Sequence, residues 1–152
     1  MKKSIQSDSL AATRNIAREL ALSIKEGKPR GKALVIALQG ELGVGKTAFV
    51  QGLARALGVK ENVHSPTFLI LKSYPLPRKK TLYHIDCYRL SAARELVSLG
   101  WADIVSNPAN IVAIEWADKA RGVIPKDALW LSFLHKGENE RKITLSLQHE
   151  YL

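Results

Sequence analysis

Several features that would assign the chain to a large protein class are missing. Its 152 residues include one cysteine, Cys87. No intrachain disulfide can form, a cysteine cage for a metal is excluded, and a reducing compartment is expected. No apolar run reaches the roughly 18 residues that a membrane span requires. The basic start Met1-Lys2-Lys3 leads into Ser4, Gln6, Ser7, Asp8 and Ser9 rather than the apolar stretch of a secretion signal. These absences predict a soluble, cytoplasmic protein with no membrane association. Internal repeats, low-complexity stretches and linkers are also lacking, so residues 1–152 read as one domain.

Negative charge is scarce too. Fourteen Asp and Glu stand against 23 Lys and Arg, a formal net charge of +9. Such an excess attracts polyanions, nucleic acid among them, but it also serves plain solubility. The basic residues are scattered, with clusters at Lys25–Lys32 and at Arg78-Lys79-Lys80, and charge alone leaves the two readings even. At 46% hydrophobic and 24% charged the composition is that of a globular chain.

Hydrophobic periodicity gives the order of elements. Ser7 and Ser9 are candidate helix starts, and Leu10, Ala12, Ile16, Ala17, Leu20, Ala21 and Ile24 follow at helical spacing until Gly27 and Pro29. The continuous run from Ala33 to Leu38 predicts a strand buried on both faces, as in a parallel sheet. A glycine-rich loop comes next, then a helix from about Lys46 to Leu57 with Gly58 as its stop. A loop at 63–66, a strand at 68–74, a proline-rich basic turn at 75–80 and a strand at 81–85 follow. Further on, a short helix is expected at 91–99, a strand at 111–114, and a hairpin of 128–134 and 142–147 about a turn at 136–140. The prediction is a three-layer α/β P-loop fold with a mixed, mainly parallel sheet and a C-terminal β-hairpin. Trp101 and Trp130 are assigned to the core.

The chemistry is concentrated in Gly40-Glu41-Leu42-Gly43-Val44-Gly45-Lys46-Thr47, which satisfies G-x-x-x-x-G-K-[ST]. Glycines at 40, 43 and 45 let backbone N–H groups approach phosphate oxygens, and the next helix, through Ala48, points its positive end at the same anion. Lys46 is suited to the β- and γ-phosphates, and the Thr47 hydroxyl to Mg²⁺. A buried strand before the loop and a helix after it supply the context the motif needs. ATP or ADP with Mg²⁺ is the expected ligand.

Such a loop requires an acid at the end of a buried strand. Glu115, after Ile111–Ile114, and Asp86, after Leu82-Tyr83-His84-Ile85, both fit, and the residues alone do not separate them. Ser65-Pro66-Thr67-Phe68 reads as a plain turn, with a γ-phosphate-sensing loop as the alternative. His84 shares a strand face with Asp86 and reads as structural. Arg89 is a candidate partner for Asp86, and Trp116 a lid or partner contact.

Taken in order, Gly40–Thr47, S-P-T-F at 65–68, H-I-D-C-Y-R at 84–89 and I-E-W at 114–116 resemble the TsaE (YjeE) family of bacterial ATPases. The resemblance runs from near Thr13 to the terminal hairpin. It implies weak intrinsic ATP hydrolysis and a role in threonylcarbamoyladenosine modification of tRNA with TsaD and TsaB, hydrolysis resetting that complex and tRNA being reached through it. It also implies roles by position. Lys46 and Thr47 would hold phosphates and metal, and Thr67 would lie in a switch-like loop. Asp86 would serve hydrolysis, Glu115 the metal, and Trp116 the nucleotide or partner face. Thr13 would lie near the base. Val44 stands where alanine is frequent in the family, and Cys87 fills a variable apolar site.

Two other readings are open to a P-loop chain. A small-molecule kinase needs an acceptor pocket and a lid arginine, for which Arg89 and Arg121 are the candidates and the length leaves scant room. A GTPase switch needs N-K-x-D, which occurs nowhere in the chain.

Overall fold

A computed structural model describes residues 2–66 and 70–147. Its elements are β1 (Lys2–Ser7), α1 (Leu10–Glu26), β2 (Leu34–Gly40), α2 (Lys46–Leu57), β3 (Leu71–Leu76), β4 (Lys80–Asp86), α3 (Arg94–Val97), α4 (Trp101–Ser106), β5 (Asn110–Glu115), β6 (Leu129–His135) and β7 (Arg141–Leu147). Short 3-10 segments cover Pro77–Lys79 and Ala117–Val123.

The seven strands form one sheet in the order β1-β7-β6-β2-β5-β4-β3. Its centre is parallel, because β2 lies between β5 and β6 and β5 also pairs with β4 in the same direction. The outer pairs are antiparallel: β3 with β4, β6 with β7, and β7 with β1. The α/β class, the mixed sheet and the terminal hairpin therefore match the prediction.

Alternation along the central strands explains the three layers. Ile36 and Leu38 of β2 and Ala113 of β5 face a core shared with Ala17 and Ala21 of α1 and Phe49 and Leu53 of α2. Val35, Ala37, Val112 and Ile114 face the opposite core, with Leu96, Trp101, Ile104 and Trp130. Both faces are covered, so these strands read as unbroken apolar runs. Helix α1 starts where Ser9 Oγ accepts the Ala12 N–H at 3.0 Å. It crosses α2 at Gly52, where an added Cβ would lie 2.6 Å from the Arg14 carbonyl oxygen. Only glycine lets the two backbones come so close.

The structure corrects the sequence reading at several elements. Strand β1 was not anticipated: Ile5 is its only apolar residue, and it is an exposed, lysine-bearing edge strand. The strand expected at 68–74 is Leu71–Leu76, with Phe68 and Leu69 outside the described residues. Pro75, expected in a turn, lies within that strand, which an edge position allows. The helix expected at 91–99 is only Arg94–Val97, and α4 follows as a separate element. Trp101 and Trp130 are buried, as expected. Among the described residues no helix is long and apolar enough to cross a membrane.

Candidate functional site

The loop between β2 and α2 is shaped by its glycines. Gly40 has φ +148°, and a Cβ there would meet the Phe133 carbonyl oxygen at 2.7 Å. Gly45, at φ +111°, stands just before the first turn of α2. This left-handed backbone costs a residue with a side chain about 1–2 kcal/mol, so the motif's glycines are a steric requirement. The loop brings the N-terminus of α2 to a cavity of about 550 Å³. Its walls include Leu42, Gly43 and the 45–48 stretch, together with Ser65, Asp86, Tyr88, Glu115 and Trp116.

Lys46 is buried at the cavity's base, and its ammonium donates to the Gly40 and Glu41 carbonyl oxygens. The Trp116 ring lies over the same nitrogen, 4.0 Å away. Burial pushes the Lys46 pKa down, against the opposing pull of Glu115, Asp118 and Asp86. Among the described residues no carboxylate lies within ion-pair distance of it. A buried cation satisfied only by neutral carbonyls and a ring face is suited to receive an anion. Trp116 itself has φ +56°, a strained conformation for a bulky residue. Tyr88 packs on it at 5.0 Å between ring centres, and Lys119 donates to the Tyr88 carbonyl oxygen at 2.6 Å.

The two candidate acids end neighbouring parallel strands and face each other in register. Glu115 accepts the Thr47 hydroxyl on Oε1 at 2.8 Å and meets His84 Nε2 through Oε2 at 2.6 Å. An ionised carboxylate only accepts, and His84 Nε2 is the donor of this pair when Glu115 is ionised. Among the described residues, His84 Nδ1 is buried with no hydrogen-bond partner. Asp86 accepts the Tyr88 N–H on Oδ1 and the Ser65 hydroxyl on Oδ2, both at 2.8 Å. The Asp86 N–H donates to the Ile70 carbonyl oxygen at 2.8 Å. The residues before and after the 67–69 stretch thus both touch Asp86. Thr67 itself lies outside the described residues.

Of the residues expected at the site, the structure brings Lys46, Thr47, Asp86, Glu115 and Trp116 around one cavity. Glu41 and Leu42 are exposed on the outer arm of the loop, while Val44 and Ala48 pack inward. Thr13 does not face the cavity. It is fully buried, accepting from Arg141 Nη1 at 2.9 Å and sharing a 2.7 Å hydrogen bond with Ser7. Its link to the loop is indirect, since the Arg141 side chain lies against Gly45. The contributions of His84, Ser65, Tyr88 and Arg141 were missed. For the first three the signal was present in H-I-D-C-Y-R and S-P-T-F, but no partner could be named without the sheet register.

Comparison with known proteins agrees with this geometry. The family described as "Threonylcarbamoyl adenosine biosynthesis protein TsaE" matches residues 7–143. The chain belongs to the TsaE family. A Treponema pallidum relative, named tRNA threonylcarbamoyladenosine biosynthesis protein TsaE, is 36% identical over 112 residues, 74% of this chain and 81% of its own length. A Bacillus subtilis TsaE of the same name is 35% identical over 137 residues, covering 88% and 78%. The crystal structure of Bacillus subtilis YdiB superposes with a TM-score of 0.73 at 26% identity, over 99% of this chain and 88% of that one. Family membership and the strand–loop–helix phosphate cradle together point to nucleotide binding.

Proposed function

We propose that the chain is an ATP-binding and ATP-hydrolysing subunit required for threonylcarbamoyladenosine modification of tRNA. In this reading it acts with TsaD and TsaB, and hydrolysis resets that complex. The observation that carries the reading is the hydrogen-bonded chain Thr47–Glu115–His84 set beside the buried Lys46.

The loop N–H groups and the start of α2 would hold the phosphates of ATP or ADP, with Lys46 turning from the loop's carbonyls toward them. The base would lie toward the hairpin side, where Arg141 and Thr13 brace Gly45. Mg²⁺ fits the donor set. Thr47 and Glu115 offer hard oxygen ligands, directly or through water, and phosphate oxygens would complete the shell. When bound, the ion supplies charge neutralisation at the β- and γ-oxygens. Asp86, beside the cavity and tied to Ser65, would orient the attacking water, so that phosphate passes to water. Thr67 would act from the loop next to Ser65.

Two features favour hydrolysis over transfer to a small molecule. Arg121, a lid candidate, is bound to Gln39 at 2.9 Å and stacked on Trp130 at 4.2 Å. Among the described residues, Asp86 lines the phosphate-loop cavity and no other of the four main cavities. The test is phosphate release from ATP, which should be slow for the chain alone and rise when TsaB and TsaD are added. Release that depends instead on a small metabolite, with no response to those proteins, would establish a kinase.

A further inference from the structure

A second cavity adjoins the phosphate site. It is a groove of about 640 Å³ between α1 and α2, walled by Arg14, Arg18, Arg55, Gln51, Asn62 and His64. Arg14 and Arg18 stand one turn apart on α1 and so share a face. Arg55 comes from α2, brought close by the tight crossing at Gly52. All three are exposed. Among the described residues, the one carboxylate lining the groove, Glu61, is paired with Lys72 at 3.7 Å. Among the described residues neither Arg18 nor Arg55 has an acidic partner.

The basic surface continues past the groove. Val59 and Glu61 also line a second hollow, with Lys60 and Pro77. Pro77 opens the Arg78-Lys79-Lys80 turn, in which Arg78 and Lys79 adopt φ +63° and +59°. Two consecutive residues with long side chains are thus held in a strained turn at the end of a basic track.

We infer that this track binds the sugar–phosphate backbone of an RNA. The choice of RNA over other phosphodiesters rests on the function proposed above; the anion site does not. Arginine forks match phosphate oxygens in pairs, and charges repeated along a track suit a polyanion with regularly spaced charge. A protein partner would seek an apolar anchor. None of the large hydrophobic residues exposed among the described residues (Leu10, Leu22, Leu42, Tyr88, Val97, Leu99 and Leu134) lines the groove. The groove meets the nucleotide cavity at Arg14 and Gln51, which line both. Bound RNA would therefore lie next to the phosphate site.

The test is fluorescence anisotropy of a labelled tRNA transcript titrated with the full chain between about 50 and about 200 mM salt. Wild type should bind with a steep salt dependence. The double variant Arg18→Gln/Arg55→Gln should bind about ten-fold or more weakly, with the salt slope reduced by roughly two. Lys28→Gln/Lys126→Gln removes the same charge outside the groove and should bind like wild type. Absence of wild-type binding, or an equal loss in both double variants, overturns the inference. Displacement of the RNA by polyglutamate at equal charge would reassign the groove to an acidic protein segment. ATP binding by the same preparations reports on the proposed function separately. If ATP binds and tRNA does not, only the RNA surface fails. If tRNA binds and ATP does not, only the nucleotide reading fails.

Discussion

Glu115 and Asp86 lie side by side at the ends of adjacent strands, and each is only 3% exposed, yet their surroundings differ in kind. Glu115 is bonded to Thr47 on α2 and to His84 on its neighbouring strand, both set by regular structure. Asp86 is bonded to Ser65 and to the Tyr88 N–H, both in loops. One carboxylate is fixed from two sides by the core. The other is bonded through both carboxylate oxygens to segments outside the helices and strands. In the function proposed above, that difference would give Glu115 the metal and Asp86 the attacking water.

The largest expected effect comes from removing the cation whose charge is felt by both acids. Lys46→Ala should weaken ATP binding about 10- to 100-fold, the equivalent of about 1.5–3 kcal/mol for hydrogen bonds to a charged group. Calorimetric titration measures it, and unchanged affinity would break the account of both acids at once. A smaller effect separates them through their partners. His84→Leu should slow hydrolysis about ten-fold by freeing the Glu115 carboxylate, a loss of about 1.4 kcal/mol. His84→Gln, whose amide N–H can occupy the Nε2 position, should recover part of it. Ser65→Ala should cost only a few-fold, about 0.5–1.5 kcal/mol for one neutral hydrogen bond, and leave the metal requirement where it was. Equal behaviour of the His84 and Ser65 variants in steady-state phosphate release, read against Mg²⁺ concentration, would erase the distinction.

How much of this was legible in the sequence follows from how local each feature is. The Gly40–Thr47 loop is specified by residues adjacent in the chain, so its pattern sufficed. The strands at β2 and β5 are buried on both faces and announce themselves as apolar runs. Strand β1 gives no such signal, because pairing with β7 at a solvated edge asks little of its side chains. His84 read as a structural strand residue, since its bond to Glu115 exists only through the β4–β5 register. Thr13 was expected near the base, and its hydrogen bond to Arg141 joins residues 128 positions apart, which the sequence does not announce. The basic clusters visible in the sequence were Lys25–Lys32 and Arg78-Lys79-Lys80. The groove of Arg14, Arg18 and Arg55 depends on the crossing of two helices, which no spacing rule reveals.

The division of labour between the two acids can be measured directly. With Mn²⁺ in place of Mg²⁺, electron paramagnetic resonance gives the metal affinity of the nucleotide complex, and phosphate release on the same samples gives hydrolysis. Glu115→Gln should weaken Mn²⁺ binding about ten-fold or more, as loss of one charged ligand implies. Asp86→Asn should bind Mn²⁺ like wild type while hydrolysis falls. Weakened metal binding in Asp86→Asn with wild-type affinity in Glu115→Gln would contradict the account.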